Sequence, residues 1–423
     1  MAVTRVGLTA IVLLAAVCAV WCAPPAADEA ASAQIDEYVS QTPPEATASI
    51  ESLAGYLVKN ASNELQKARA IYAWIVKNID YDVEGFTSGN PGDQSAQAVL
   101  ARRKAVCDGY SRLFEALARA AGLEAVQVVG YSRGAGYKAG QPVGPEADHA
   151  WTAVRIDGNW FLIDTTWAAG YLDAKAGFVR RQEDYYFLTP PEQFIYDHLP
   201  SDPKWQLLSE PVDKARFERM VYLRPGFFRN GLKVVSHPEI EIESDGDLTV
   251  TFAGPEQALM RARVGDDSKF GDDVAPTFVQ REGDRLKLNV AFANPGSYIL
   301  RLYAKPKGYD GAYEWAGDYR VKVKEVKGFQ VFYPEVTATF NETNATLLGP
   351  MSGRLKSGAT ESFKLIVPGA EAVSVVVGGE WVPLVKNGET WEGRATVAGD
   401  KVQIAARFPG SQSFYVLVTY GVG

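Results

Sequence analysis

The sequence predicts an α+β domain followed by two all-β sandwiches. Three observations carry that expectation. At 423 residues the chain is too long for one ordinary domain. In the first half, apolar residues recur at helical spacing, as in Leu65, Ala68, Ile71, Tyr72, Ile75 and Ile79. After about Leu232 the pattern turns to short alternating runs, such as L-T-V-T-F and L-K-L-N-V-A-F, separated by Gly, Asp and Pro. An apolar fraction of 47% against 22% charged residues gives each domain the means to bury a core.

In chain order, Arg5 precedes an apolar run from Val6 to Trp21 that is short for a membrane span. Residues 1–23 therefore read as a secretory signal, with an uncleaved anchor as the competing reading. Residues 24–47, rich in Ala, Pro, Ser and acids, read as a linker. The first domain is expected over 48–228. Ser49 is placed to cap a short helix, and the periodic segment around Ile71 forms a second. A third begins at Cys107 and carries Leu113, Phe114, Leu117 and Ala121 on one stripe, with Gly122 just past its end. A β-branched strand follows at Ala125 to Tyr131. Two more, Ala150 to Ile156 and Asn159 to Thr165, flank Asp157-Gly158, a hairpin-turn dipeptide. Tyr185 to Leu208 is expected to be mostly irregular. The β-rich remainder divides into 229–325 and 326–423, joined near Lys322 to Lys327.

A net charge of −8 argues against a broad nucleic-acid or anionic-membrane surface. Removing the leader would remove Cys18 and Cys22 and leave one cysteine, so no internal disulfide is expected. Export would place the protein outside the cell or in a periplasm. Asn60, Asn341 and Asn344 begin N-x-S/T triplets that a eukaryotic secretory pathway would glycosylate. No H-E-x-x-H, paired C-x-x-C, EF-hand loop or phosphate-binding glycine loop occurs, so neither metal nor cofactor is implied.

Chemistry concentrates between Val106 and Trp167, where Cys107, His149 and Asp164 are candidates for a nucleophilic triad. A thiol at a helix N-terminus meets the positive end of the helix dipole and unpaired N–H groups, which favour the thiolate. His149 and Asp164 are placed by arithmetic. With Asp157 and Gly158 as the turn, opposite residues sum to 315, so Trp151 faces Asp164 and His149 lies two positions along the same side. Diagonal neighbours of this kind are about 7–8 Å apart along the backbone, a gap an imidazole and a carboxylate bridge together. Asp164 would orient His149, and His149 would take and return the thiol proton. Gly109, Tyr110, Trp151 and Trp167 are candidate substrate contacts, with packing around the site as the competing role for the tryptophans. His198 and His237 read as surface or loop residues.

These residues resemble the transglutaminase-like superfamily. The likeness runs from I-Y-A-W-I-V-K-N-I-D-Y-D at Ile71 through V-C-D-G-Y-S-R-L-F and H-A-W-T-A-V to W-F-L-I-D-T-T-W ending at Trp167. The β-rich remainder, with V-S-H-P-E-I and P-G-S-Y-I-L-R-L-Y-A-K, is similar to the kyphoscoliosis peptidase and hillarin group. The resemblance implies a papain-like core followed by Ig-like sandwiches, with Cys107 as nucleophile, His149 as base and Asp164 as orienter. It implies acyl transfer from protein or peptide amides to water or to an amine. The calcium sites of animal transglutaminases are not recognisable here. The expectation is a secreted cysteine acyl-transfer enzyme whose β domains engage a protein partner. The alternative is a noncatalytic scaffold or adhesion protein that retains the triad.

Overall fold

A computed structural model describes residues 29–134, 136–173, 175, 177–267, 271–326 and 333–423. The expected leader lies outside them, as does the end of the expected join at Lys327. The described residues gather into three large hydrophobic cores in chain order, with two small clusters where the first meets the second. Among them, no helix is long and apolar enough to cross a membrane.

The first core lies between helices and a five-stranded antiparallel sheet. The order across that sheet is Phe187–Thr189, Asn159–Ile163, His149–Ile156, Ala125–Ser132 and His198–Pro200. The helix Glu64–Asn78 starts where the Asn63 side chain accepts from the Gln66 N–H, and every residue from Ala68 to Val76 is buried. The cysteine helix, Cys107–Ala120, turns Tyr110, Leu113, Phe114 and Leu117 into the same core and lies against the two central strands. Asp157 and Gly158 both have positive φ, 48° and 83°, the backbone a tight two-residue hairpin turn requires. The register is Ile156 opposite Asn159 and Thr152 opposite Ile163, so the sum of 315 holds along the hairpin.

Three expectations are corrected. The stretch expected as a linker contains a helix, Glu29–Ser40, whose Ile35 and Val39 are buried in the first core. Arg69 fastens it, pairing with Asp36 (Nε–Oδ1 2.9 Å) and with Asp184 beyond the site (Nη1–Oδ1 3.0 Å). The segment Tyr185 to Leu208 contributes both outer strands of the first sheet rather than irregular chain. The expected boundary after residue 228 falls too late. Val221, Leu223 and Phe227 lie in the second core, and Tyr222–Leu223 pairs with the strand Glu314–Val323.

The second and third cores are sandwiches of two mainly antiparallel sheets each. Alternating burial along Leu248, Val250 and Phe252 explains why the sequence pattern read as strand. Both joints between cores are packed. Arg133, fully buried, sends its guanidinium to the carbonyls of Phe217 and Met220 and links the first core to the second. Phe278, on the strand Thr277–Glu282 of the second sandwich, turns its side chain into the third core beside Tyr333 and Phe340, and the Thr346 hydroxyl donates to the Arg281 carbonyl at 2.7 Å.

Candidate active site

Cys107 is the first residue of its helix and is partly exposed. Its helix is capped by Val106, which brings no side-chain acceptor to the first turn. Gln94 steadies the approach, accepting from the Val106 N–H at 3.1 Å while donating to the Pro91 carbonyl at 2.7 Å. Gln127, on the neighbouring strand, holds the other side of that turn by donating to Asp108 Oδ1 (2.9 Å) and Ser111 Oγ (2.7 Å).

His149 opens its strand, and its Nε2 lies 2.8 Å from Asp164 Oδ2. The predicted parity of the hairpin therefore places both on one face. With Nε2 committed to the carboxylate, Nδ1 is the nitrogen left for the thiol. Burial opposes a charge on this ring, yet Asp164 and then the hydrogen bond and charge of Cys107 outweigh it and push the pKa up to about 10. Burial likewise opposes ionisation of Asp164, but the facing His149 and His198 rings hold its carboxyl well below the usual carboxylate range. Asp164 also caps the helix Thr165–Ala169, its Oδ1 accepting from the Thr166 N–H (2.8 Å) and the Trp167 N–H (3.0 Å). Helix cap and imidazole partner are thus one carboxylate, using one oxygen for each task.

Trp167 stacks on the His149 ring at 5.0 Å between centroids and 26° between planes. Trp167 is the one residue of the expected substrate contacts whose ring flanks the site while partly exposed. Trp151 and Tyr110 are buried, and the Tyr110 hydroxyl donates to the Ile79 carbonyl at 2.6 Å. Gly109 faces inward, where an added Cβ would come within 2.5 Å of Gln94 Oε1 and 2.8 Å of Ala105. All three are packing residues: Gly109 and Tyr110 lie on the helix face that closes on the core, and Trp151 meets that core from the strand His149–Ile156.

His198 corrects the sequence reading outright. It is fully buried rather than a surface or loop residue, with Nε2 3.0 Å from Asp164 Oδ2 and Nδ1 2.6 Å from Asp197 Oδ1. The only sequence cue was the Asp197-His198 dipeptide inside an aromatic segment. His149, Asp164 and His198 bring nitrogen and oxygen atoms within 4.8 Å of one another, a grouping a metal ion also uses. Here the four acceptor positions of Asp164 are already met by two imidazole nitrogens and two backbone N–H groups.

Residues 51–165 match the model of the transglutaminase-like superfamily core, and residues 214–334 match that of the KY-like, immunoglobulin-like domain. The first match spans Cys107, His149 and Asp164. Residues 51–165 are a transglutaminase-like core. Kyphoscoliosis peptidase of Mus musculus is 33% identical over 280 residues, 66% of this chain and 41% of that protein. Its Homo sapiens counterpart is 32% identical over 296 residues, 69% and 43%. Hillarin of Drosophila melanogaster is 32% identical over 219 residues, 48% and 26%. The chain spans less than half the length of these relatives. His198 lies beyond the residues matched to the transglutaminase-like core.

Proposed function

We propose that this chain is a cysteine acyl-transfer enzyme acting on protein or peptide amides, with Cys107 as nucleophile, His149 as acid and base, and Asp164 as the group that orients the ring. One observation carries the reading: a partly exposed thiol at a helix start interacts with an imidazole whose far nitrogen is bonded to a buried carboxylate at 2.8 Å. The thiolate attacks the amide carbonyl carbon and the carbonyl electron pair moves onto oxygen. N–H groups at the start of the cysteine helix would hold that oxyanion. Collapse breaks the C–N bond, His149 gives its proton to the leaving amine, and a Cys107 thioester remains. Water or an amine then attacks the thioester, His149 takes the incoming proton, and the thiolate leaves.

Hydrolysis and crosslinking share this thioester. The mouse and human relatives are named peptidases, which favours water as the acceptor. Export belongs to the same proposal. The leader expected at 1–23 and the single cysteine after it fit an extracellular or periplasmic setting. The test is labelling by a thiol-directed activity probe in wild type and Cys107→Ala, with peptide release and amine incorporation followed together. Labelling and turnover confined to wild type support the enzyme. A wild-type thiol that neither labels nor turns over an amide substrate leaves the scaffold alternative.

A further inference from the structure

His198 has a geometry that suits an imidazolium held between two carboxylates. Both ring nitrogens face carboxylate oxygens, Nδ1 to Asp197 at 2.6 Å and Nε2 to Asp164 at 3.0 Å. An ionised carboxylate only accepts, so each nitrogen must donate, and a ring donating from both is an imidazolium. The surroundings suit a cation shut away from water. Phe194 stacks on the ring at 4.0 Å and 18°, with Trp167 at 4.3 Å and the Trp151 edge at 5.0 Å. The other groups facing it are the His149 ring at 5.3 Å and Tyr186, whose hydroxyl donates to the second Asp197 oxygen at 3.3 Å. The Arg133 and Arg224 charges also act on Asp197, from the joint with the second core.

We propose that His198 is a positioning residue: a standing cation, balanced by Asp197, that keeps the Asp164 carboxylate ionised and aimed at His149. This rests on the acyl-transfer reading. In that cycle His149 loses its proton to the leaving amine, and at that moment Asp164 loses its charged partner. A buried carboxylate with no counter-charge is expensive enough to take up a proton itself, which would withdraw the acceptor that holds the His149 tautomer. A second imidazolium on the same oxygen keeps Asp164 an anion throughout. His149 is then free to gain and lose a proton while its neighbour does neither.

The chain has three histidines, so ring nitrogens of 15N-histidine-labelled full-length protein are assignable with single His→Gln variants. Both His198 nitrogens are expected to stay at the protonated shift as pH rises through the range in which an ordinary histidine loses its proton. In parallel, the rate of Cys107 alkylation by iodoacetamide is followed against pH. In folded His198→Gln, loss of the nearby positive charge moves the midpoint for thiolate formation up by about one unit. Adding Asp197→Asn removes the orphaned negative charge and returns at least half of that shift. A packing role alone would lower stability without moving the midpoint. The proposal is overturned by a neutral or titrating His198, by an unmoved midpoint in folded His198→Gln, or by a stoichiometric metal that wild type binds and His198→Gln does not. Should His198→Gln not fold, the wild-type ring shifts decide. A protonated His198 beside an unreactive wild-type thiol would sink the acyl-transfer reading instead.

Discussion

The first and third cores differ in what they enclose besides apolar side chains. The first buries Arg69, Arg133, His149, Asp164, Asp197 and His198; in the third, among the described residues, the buried polar side chains are Thr346 and Ser374. Burying charge is costly unless each group is paired, and in the first core it is paired at every step from Cys107 to Asp197. The third core needs only volume and pattern, and its strands Thr360–Ile366, Ala372–Val377 and Lys401–Arg407 supply them. A core that gathers ionisable groups at one end of a sheet is built for a task, whereas a uniformly apolar one is built to hold shape.

Four substitutions would sharpen or break that contrast. The largest effect is expected from Asp164→Ala, which strands two imidazoles and uncaps a helix. Urea unfolding should show a loss of about 3–5 kcal/mol, and Cys107 alkylation near neutral pH should collapse. A cavity in the third core, Phe363→Ala, should destabilise that sandwich by a similar amount, about 3–5 kcal/mol, and leave the alkylation rate unchanged. If the thiol slowed too, the two cores would not be independent. Gly109→Ala comes next. Its methyl collides with Gln94 and Ala105, so a cost of about 1–3 kcal/mol should accompany slower alkylation as the helix start shifts. Arg119→Ala, which removes the exposed bridge to Glu115 at 2.6 Å, should change stability by no more than about 0.5 kcal/mol.

Acid and alkali should separate the cores as well. The folded pKa of His149 lies above its ordinary 6.5, so its contribution is complete below pH 6.5 and is lost as pH climbs through about 10. That of Asp164 is depressed, so its contribution holds above its ordinary 3.8 and fades as the medium becomes more acidic. Unfolding of the first core should therefore become easier toward pH 10, and His149→Gln should flatten that trend. The third core should show little of either. A flat profile in wild type would mean that His149 is neutral in the fold.

Much of the site was legible because it is local. The two-residue turn at Asp157-Gly158 ties His149 to Asp164 through hairpin parity, and that relation needs no knowledge of the rest of the molecule. The helix from Cys107 was equally plain, its buried face from apolar spacing and its end from Gly122. What stayed hidden came from distant segments. The helix Glu29–Ser40 has a composition that reads as linker until Arg69 pairs with Asp36. His198 reaches Asp164 because His198–Pro200 adds to the far edge of the sheet beside Gly130, Tyr131 and Ser132.

By itself, then, the amino-acid order determined the run of domains, the hairpin register and the presence of a thiol, an imidazole and a carboxylate in workable order. Tertiary structure alone decided that a second histidine would share the carboxylate and that Trp151, Tyr110 and Gly109 would turn inward. The reason is range. Periodicity and turn geometry act over a few residues and leave a signature in sequence, whereas edge-strand pairing and buried charge compensation join segments whose separation along the chain says nothing of their contact.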